Sequence, residues 1–124
     1  MKVAYIEDDR VWRKSVLELL EYDGFEVQGF EQEPKNLSEL SIFDVIIADN
    51  RLRGTPNGLN GINILNKLRI RGYNGVLILF TSYPTTTLYK TCDSLDVYLI
   101  SKKDKISTAL NMVLKSEKEH SGFV

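Results

Sequence analysis

Five residues stand where short apolar runs give way to polar sequence, and their types suit one chemistry. Val3-Ala4-Tyr5-Ile6 runs into Glu7 and Asp8, Val45-Ile46-Ile47-Ala48 into Asp49, Val76-Leu77-Ile78-Leu79-Phe80 into Thr81, and Val97–Ser101 into Lys102. If the fold gathers these ends, three carboxylates, a hydroxyl and an ammonium share one pocket. Acids a few ångströms apart repel, and one of them keeps its proton unless a cation intervenes. Mg²⁺ is suited to that place, because it takes hard oxygen ligands and is bound through one or two carboxylates with several retained waters. Asp8 and Asp49 then act as direct ligands, Glu7 acts through water, and the backbone carbonyl of Arg51 completes the protein side. Zinc is disfavoured, since no His/Cys set has ligand spacing and His120 is alone near the C-terminal end. Asp49 is also a candidate nucleophile toward phosphorus, becoming an acyl phosphate. Mg²⁺ and Lys102 would balance charge on the transferring phosphoryl group, and Thr81 would donate its hydroxyl to one of the oxygens.

The elements between these ends must do the positioning. Trp12, Val16, Leu19 and Leu20 fall on one face at helical spacing, and Gly24 closes that helix. Phe25–Phe30 is a more polar strand, and residues 34–41 have room only for a short helix. Leu59, Ile62, Leu65 and Leu68 form a second helical stripe, ended by Gly72. Thr85–Cys92 is a weak helix former because its β-branched residues lose rotamer freedom in a helix. Ile106, Ala109, Leu110, Val113 and Leu114 mark a final helix. Five strands alternating with about five helices predict an α/β fold, a doubly wound parallel sheet buried on both faces. Ligands of such sheets bind beyond the carboxyl ends of the strands, where the five residues lie.

Composition narrows the function classes. The chain has 124 residues, a common size for one domain, and it needs no metal or disulfide frame to fold. Sixteen Lys and Arg against 17 Asp and Glu leave a net charge of −1, which argues against direct nucleic-acid binding. The one cysteine, Cys92, excludes an internal disulfide and suits a reducing compartment, so a cytoplasmic location is expected. No apolar run reaches membrane-spanning length, and no membrane partner is expected.

With these motifs in order, the sequence resembles the receiver domain of bacterial two-component response regulators. The motifs are Tyr-Ile-Glu7-Asp8-Asp9, Asp44-Val-Ile-Ile-Ala-Asp49-Asn-Arg-Leu-Arg-Gly54, Ile-Leu-Phe-Thr81-Ser82 and Ile-Ser-Lys102. Each is weak alone; all four at successive strand ends are specific. The resemblance spans residues 1–118 and leaves 119–124 as a polar tail or the start of a linker. It implies a flavodoxin-like sheet of strand order 2-1-3-4-5. Asp49 takes the phosphoacceptor position, Glu7 and Asp8 the Mg²⁺-holding acidic pair, and Thr81 and Lys102 the switch threonine and phosphate-binding lysine. The implied partners are a sensor histidine kinase or phosphotransfer protein and an output protein or domain. The face made by the fourth helix, fifth strand and fifth helix would change on phosphorylation and could pair two copies. Such a domain is a signalling switch and not an enzyme.

The pattern departs from the family in places. Leu99 stands where an aromatic residue is usual, and Tyr98, one residue earlier, falls on the opposite side of the strand. Lys103 and Arg53 replace common prolines, and the loop Gly54–Gly61 is longer than the common form. Arg51 and Tyr83, two residues beyond Asp49 and Thr81, flank the route of the hydrolytic water in the family, so their bulk predicts a long-lived phosphorylated state. Asp9 reads as a helix cap, Trp12 as helix-face packing, Tyr89 and Cys92 as packing of a short helix, and Lys103 as a solvated neighbour of Lys102. The alternative function is a phosphorylation-independent interaction module of the same fold. A haloacid-dehalogenase-type phosphatase would need a second aspartate at position 51. A flavin carrier would need a phosphate-cradling loop where the acidic Glu7-Asp8-Asp9 stands.

Overall fold

The computed structural model describes residues 1–51 and 60–121. Five parallel strands, β1 (Lys2–Ile6), β2 (Glu26–Phe30), β3 (Val45–Asp49), β4 (Val76–Thr81) and β5 (Tyr98–Ser101), form one sheet in the order β2-β1-β3-β4-β5. The helices are α1 (Arg10–Tyr22), α2 (Asn60–Ile70), α3 (Thr86–Ser94) and α4 (Ile106–Ser121), with a 3-10 helix at Leu37–Ile42 between β2 and β3. That 3-10 turn is the short helix expected over 34–41. It occupies the second helical position, so the output face implied by the resemblance is α3, β5 and α4. The last helix runs on through Ser121, into the stretch set aside as a tail. Of the long loop assigned to Gly54–Gly61 only Asn60 and Gly61 are described, as the start of α2; the rest of it, Leu59 of the second stripe included, and Arg53 just before it lie outside the described residues.

Two apolar layers sandwich the sheet. On one face Ala4, Ile6, Ile46, Ala48, Leu77 and Leu79 pack under the 3-10 helix, α2 and α3. On the other Val3, Tyr5, Val45, Ile47, Ile78 and Phe80 pack under α1 and α4. Alternate side chains feed opposite layers, which is why the central strands read as unbroken apolar runs. The edge strand β2 is only partly covered, in keeping with its polar sequence.

The helix ends follow local chemistry. The Asp9 carboxylate accepts from Trp12 N at 3.0 Å and caps α1, as its sequence position suggested. Gly24 and Gly72 end α1 and α2 with φ of +93° and +89°, a region open to glycine without strain. The stripe expected on α1 holds only in part: Val16 and Leu20 are buried, while Trp12 is 38% and Leu19 55% exposed. Residues 16 and 20 lie one turn apart and share the line that meets the sheet, whereas Leu19 is rotated off it. Tyr89 is likewise 53% exposed, and only Cys92 of that expected pair packs inward.

Gly61 brings α2 onto the end of β3. A Cβ there would lie 2.0 Å from the Asp49 carbonyl oxygen and 2.9 Å from Asn50 Cα. Its N–H donates to the Asn50 carbonyl at 3.3 Å. At the opposite edge, Arg69 donates to the carbonyls of Leu95, Tyr73, Gly75 and Asp96 and ties the loops before β4 and β5 together.

Candidate functional site

All the chemistry-bearing strand ends meet at the carboxyl edge of the sheet. Carboxylate oxygens of Glu7, Asp8 and Asp49 lie within 4.8 Å of one another. Glu7 and Asp49 are buried, and Asp8 is half-buried. A cavity of about 310 Å³ opens onto them, lined by Glu7, Asp8, Asp9, Trp12, Asp49, Ser82 and Lys102. The β1–β3 and β3–β4 registers set this convergence: Ile6 pairs with Ala48 and Asp49 with Phe80, so the residues just beyond those pairs stand side by side.

Lys102 enters from beyond β5, where its N–H donates to the Thr81 carbonyl at 2.8 Å. Its ammonium lies 2.6 Å from Glu7 Oε1 and 3.3 Å from Asp49 Oδ1, with the side chain only 13% exposed. Lys103 is exposed, so Lys102 is the lysine that the register turns inward. The ammonium also sits 5.0 Å from the Trp12 ring centroid and 5.9 Å from that of Phe80. Burial pushes the Glu7 carboxyl up to about 7; the Lys102 hydrogen bond offsets part of that rise, and the Asp49 charge adds to it. The Tyr5 hydroxyl donates to Glu7 Oε1 at 3.3 Å and is held protonated well above the ordinary range, by burial first and then by the Glu7 charge. Arg13 donates to the Glu7 backbone carbonyl, which locks the acidic turn to the start of α1.

Thr81 is buried at the end of β4, and its Oγ1 accepts from Tyr83 N at 3.3 Å. Arg51 is exposed, with its guanidinium 5.3 Å over the Tyr83 ring. The two bulky residues two positions beyond Asp49 and Thr81 therefore touch each other. Leu99 packs on the α2–α3 side, while Tyr98 packs on the α1–α4 side and donates to Glu117 Oε1 at 2.6 Å. The alternation that separated these two residues in the sequence holds in the fold.

Three close carboxylates, hard donors with an ammonium beside them, fit a small divalent cation of the Mg²⁺ type. Sequence reasoning missed the part played by Trp12, which was read as helix packing but lines the site. The available signal was its place in the first turn after the acidic strand end, where a side chain points back toward that end.

Among solved structures, the chain is similar to a receiver domain protein from Methanospirillum hungatei JF-1, at 18% identity and a TM-score of 0.80, covering 98% of this chain and 96% of that one. It is similar to the chemotaxis protein CheY4 of Vibrio cholerae, at 18% identity and a TM-score of 0.74 over 92% of this chain and 96% of that one. The beryllofluoride-activated NtrC4 receiver domain dimer matches at 16% identity and a TM-score of 0.77 over 95% and 97%. The fold is therefore that of the CheY-like response regulator receiver domains, with their strand order. Among curated proteins, a cyclic di-GMP phosphodiesterase of Thermotoga maritima is 29% identical over 92 residues, 74% of this chain. The match takes in 24% of that relative's length. No family model matches the chain. Among the described residues, no helix is long and apolar enough to cross a membrane.

Proposed function

We propose that this chain is a phosphorylation-controlled signalling switch that accepts a phosphoryl group on Asp49. The observation that supports it best is the cluster of Glu7, Asp8 and Asp49, with Lys102 spanning Glu7 and Asp49 at the carboxyl edge of a receiver-type sheet. Asp8 and Asp49 would hold Mg²⁺ directly, Glu7 through water, and the Arg51 carbonyl would complete the set. When bound, the ion neutralises charge on the phosphoryl oxygens. An Asp49 carboxylate oxygen forms a bond to phosphorus as the donor's bond to phosphorus breaks. With a phosphohistidine donor the leaving group is an imidazole, and the product is an aspartyl phosphate. Lys102 pairs with a phosphoryl oxygen, leaving its contact with Glu7, and the Thr81 hydroxyl donates to another. The added charge at the ends of β3 and β4 then shifts the α3–β5–α4 face.

In this reading the donor is a sensor histidine kinase or a phosphotransfer protein, and the target is an output protein or domain. A second copy bound through α3, β5 and α4 is the expected dimer. The chain works in the cytoplasm as a switch and not as an enzyme. The match to a quarter of a longer phosphodiesterase fits a module that governs an output. The test is intact mass after incubation with Mg²⁺ and acetyl phosphate, beside Asp49→Asn and an EDTA sample. One added phosphoryl group in the wild type alone is expected. No adduct with acetyl phosphate, beryllofluoride or a histidine kinase would replace the switch with the phosphorylation-independent interaction module.

A further inference from the structure

The four groups around the Lys102 ammonium form two kinds of wall. Glu7 Oε1 at 2.6 Å and Asp49 Oδ1 at 3.3 Å are the anionic side. The Trp12 and Phe80 rings, at 5.0 and 5.9 Å, are the aromatic side. These distances are within the range at which a ring face attracts a cation. The two rings also pack on each other, with centroids 6.5 Å apart. Phe80 is a core residue of β4, whereas Trp12 is 38% exposed and stands at the rim of the site. The turn that carries it is tied down by two hydrogen bonds. Asp9 caps the Trp12 N–H at 3.0 Å, and the adjacent Arg13 donates to the carbonyl of Glu7. The indole is thus anchored to the same acidic turn that supplies Glu7 and Asp8.

We propose that Trp12 is a positioning residue that holds the Lys102 ammonium over the Glu7 and Asp49 carboxylates through a cation–π contact and so prepares it for phosphoryl capture. The second half of this statement rests on the switch reading above; the first half stands on geometry alone. A lysine is a flexible chain with a strongly hydrated head, and water at the mouth of the site competes for that head. The indole face covers the open side and leaves the carboxylates as the remaining attraction. When a phosphoryl group arrives, the ammonium moves from one anion to another under the same ring.

The test has two arms on the full chain. In the first, the Lys102 ε-methylene resonance is assigned by its loss in Lys102→Met and followed in metal-free protein by NMR. Ring-current displacement is expected in the wild type, largely kept in Trp12→Phe, and reduced in Trp12→Leu and Trp12→Met to what the Phe80 ring alone supplies. In the second, phosphoryl uptake from acetyl phosphate is measured with Mg²⁺. Trp12→Leu should be roughly tenfold slower at saturating donor, and Trp12→Phe within roughly threefold of wild type. The Mg²⁺ dissociation constant should hold across the series, a pattern that a loosened site would not show. Trp12→Met replaces Trp12→Leu if the latter does not fold, as judged by circular dichroism. An unchanged Lys102 resonance in the ring-free variants overturns the positioning claim. Wild-type uptake in a folded ring-free variant overturns its functional half. If wild-type protein forms no adduct with acetyl phosphate, beryllofluoride or a histidine kinase, the switch reading fails, and the resonance arm alone decides whether Trp12 holds Lys102.

Discussion

Replacing Gly61 by alanine should damage the site from outside it. The new Cβ would stand 2.0 Å from the Asp49 carbonyl oxygen, where ordinary contact begins at 3.4 Å, so α2 or the end of β3 must yield by about 1.4 Å. The Asp49 carbonyl carbon at 2.6 Å and Asn50 Cα at 2.9 Å close the other ways out, and all three are backbone atoms that cannot rotate aside. Overpacking of this kind costs about 1–3 kcal/mol. A domain of this size loses about 4 °C of Tm for each kcal/mol. The Tm should therefore fall by about 4–12 °C. Uptake should fall further than stability accounts for, because displacing a reacting group by about 1 Å costs up to about a hundredfold in rate. Gly72→Ala is the control. It meets nothing within 4 Å but is strained at φ +89°, so it should lower the Tm and leave uptake intact. The assays are thermal unfolding by circular dichroism and acetyl phosphate uptake by intact mass. Gly61→Ala with a wild-type Tm and uptake would refute the close approach. Parallel losses in both glycine variants would refute its link to Asp49.

Other expectations come from separate parts of the molecule. Arg69→Met should cost about 2–3 kcal/mol, because four backbone carbonyls lose a charged donor; urea unfolding checks it, and a change under about 0.5 kcal/mol would refute the staple. Burial pushes the Cys92 thiol up to about 11 from 9.0, so iodoacetamide at pH 8 should leave the native protein unmodified and label it in urea. The unfolded thiol ionises first, so the folded state holds the extra proton and stability falls as pH rises from 9 to 11. The difference between wild type and Cys92→Ala should carry that slope. Arg51 and Tyr83 stack on each other just beyond Asp49 and Thr81, so the Arg51→Ala, Tyr83→Ala double variant should lose its phosphoryl group faster than wild type; equal decay would rule out a shielding role for the pair.

Periodicity alone carried the strands, since alternate side chains of β1, β3 and β4 all find an apolar layer and leave no polar break in the run. Glu7, Asp49 and Thr81 were legible for the same reason, each being the first polar residue after such a run, and Lys102 follows the last strand one residue later, after Ser101. The α1 stripe was less legible. Apolar residues at positions 12, 16, 19 and 20 fit one face of an isolated helix, but only its docking angle decides which of them meet the sheet.

What the sequence by itself determined is therefore the alternation of elements and the chemistry parked at their ends, because both depend on neighbours along the chain. What only the tertiary structure decided are contacts between residues far apart in sequence. Lys102 pairs with Glu7 across 95 positions and lies under Trp12, and Arg69 reaches the carbonyls of Leu95 and Asp96. Gly61 earns its place only because Asp49 passes 2.0 Å from where a side chain would begin. No local pattern encodes these distances; they arise when two layers of helices close on one twisted sheet.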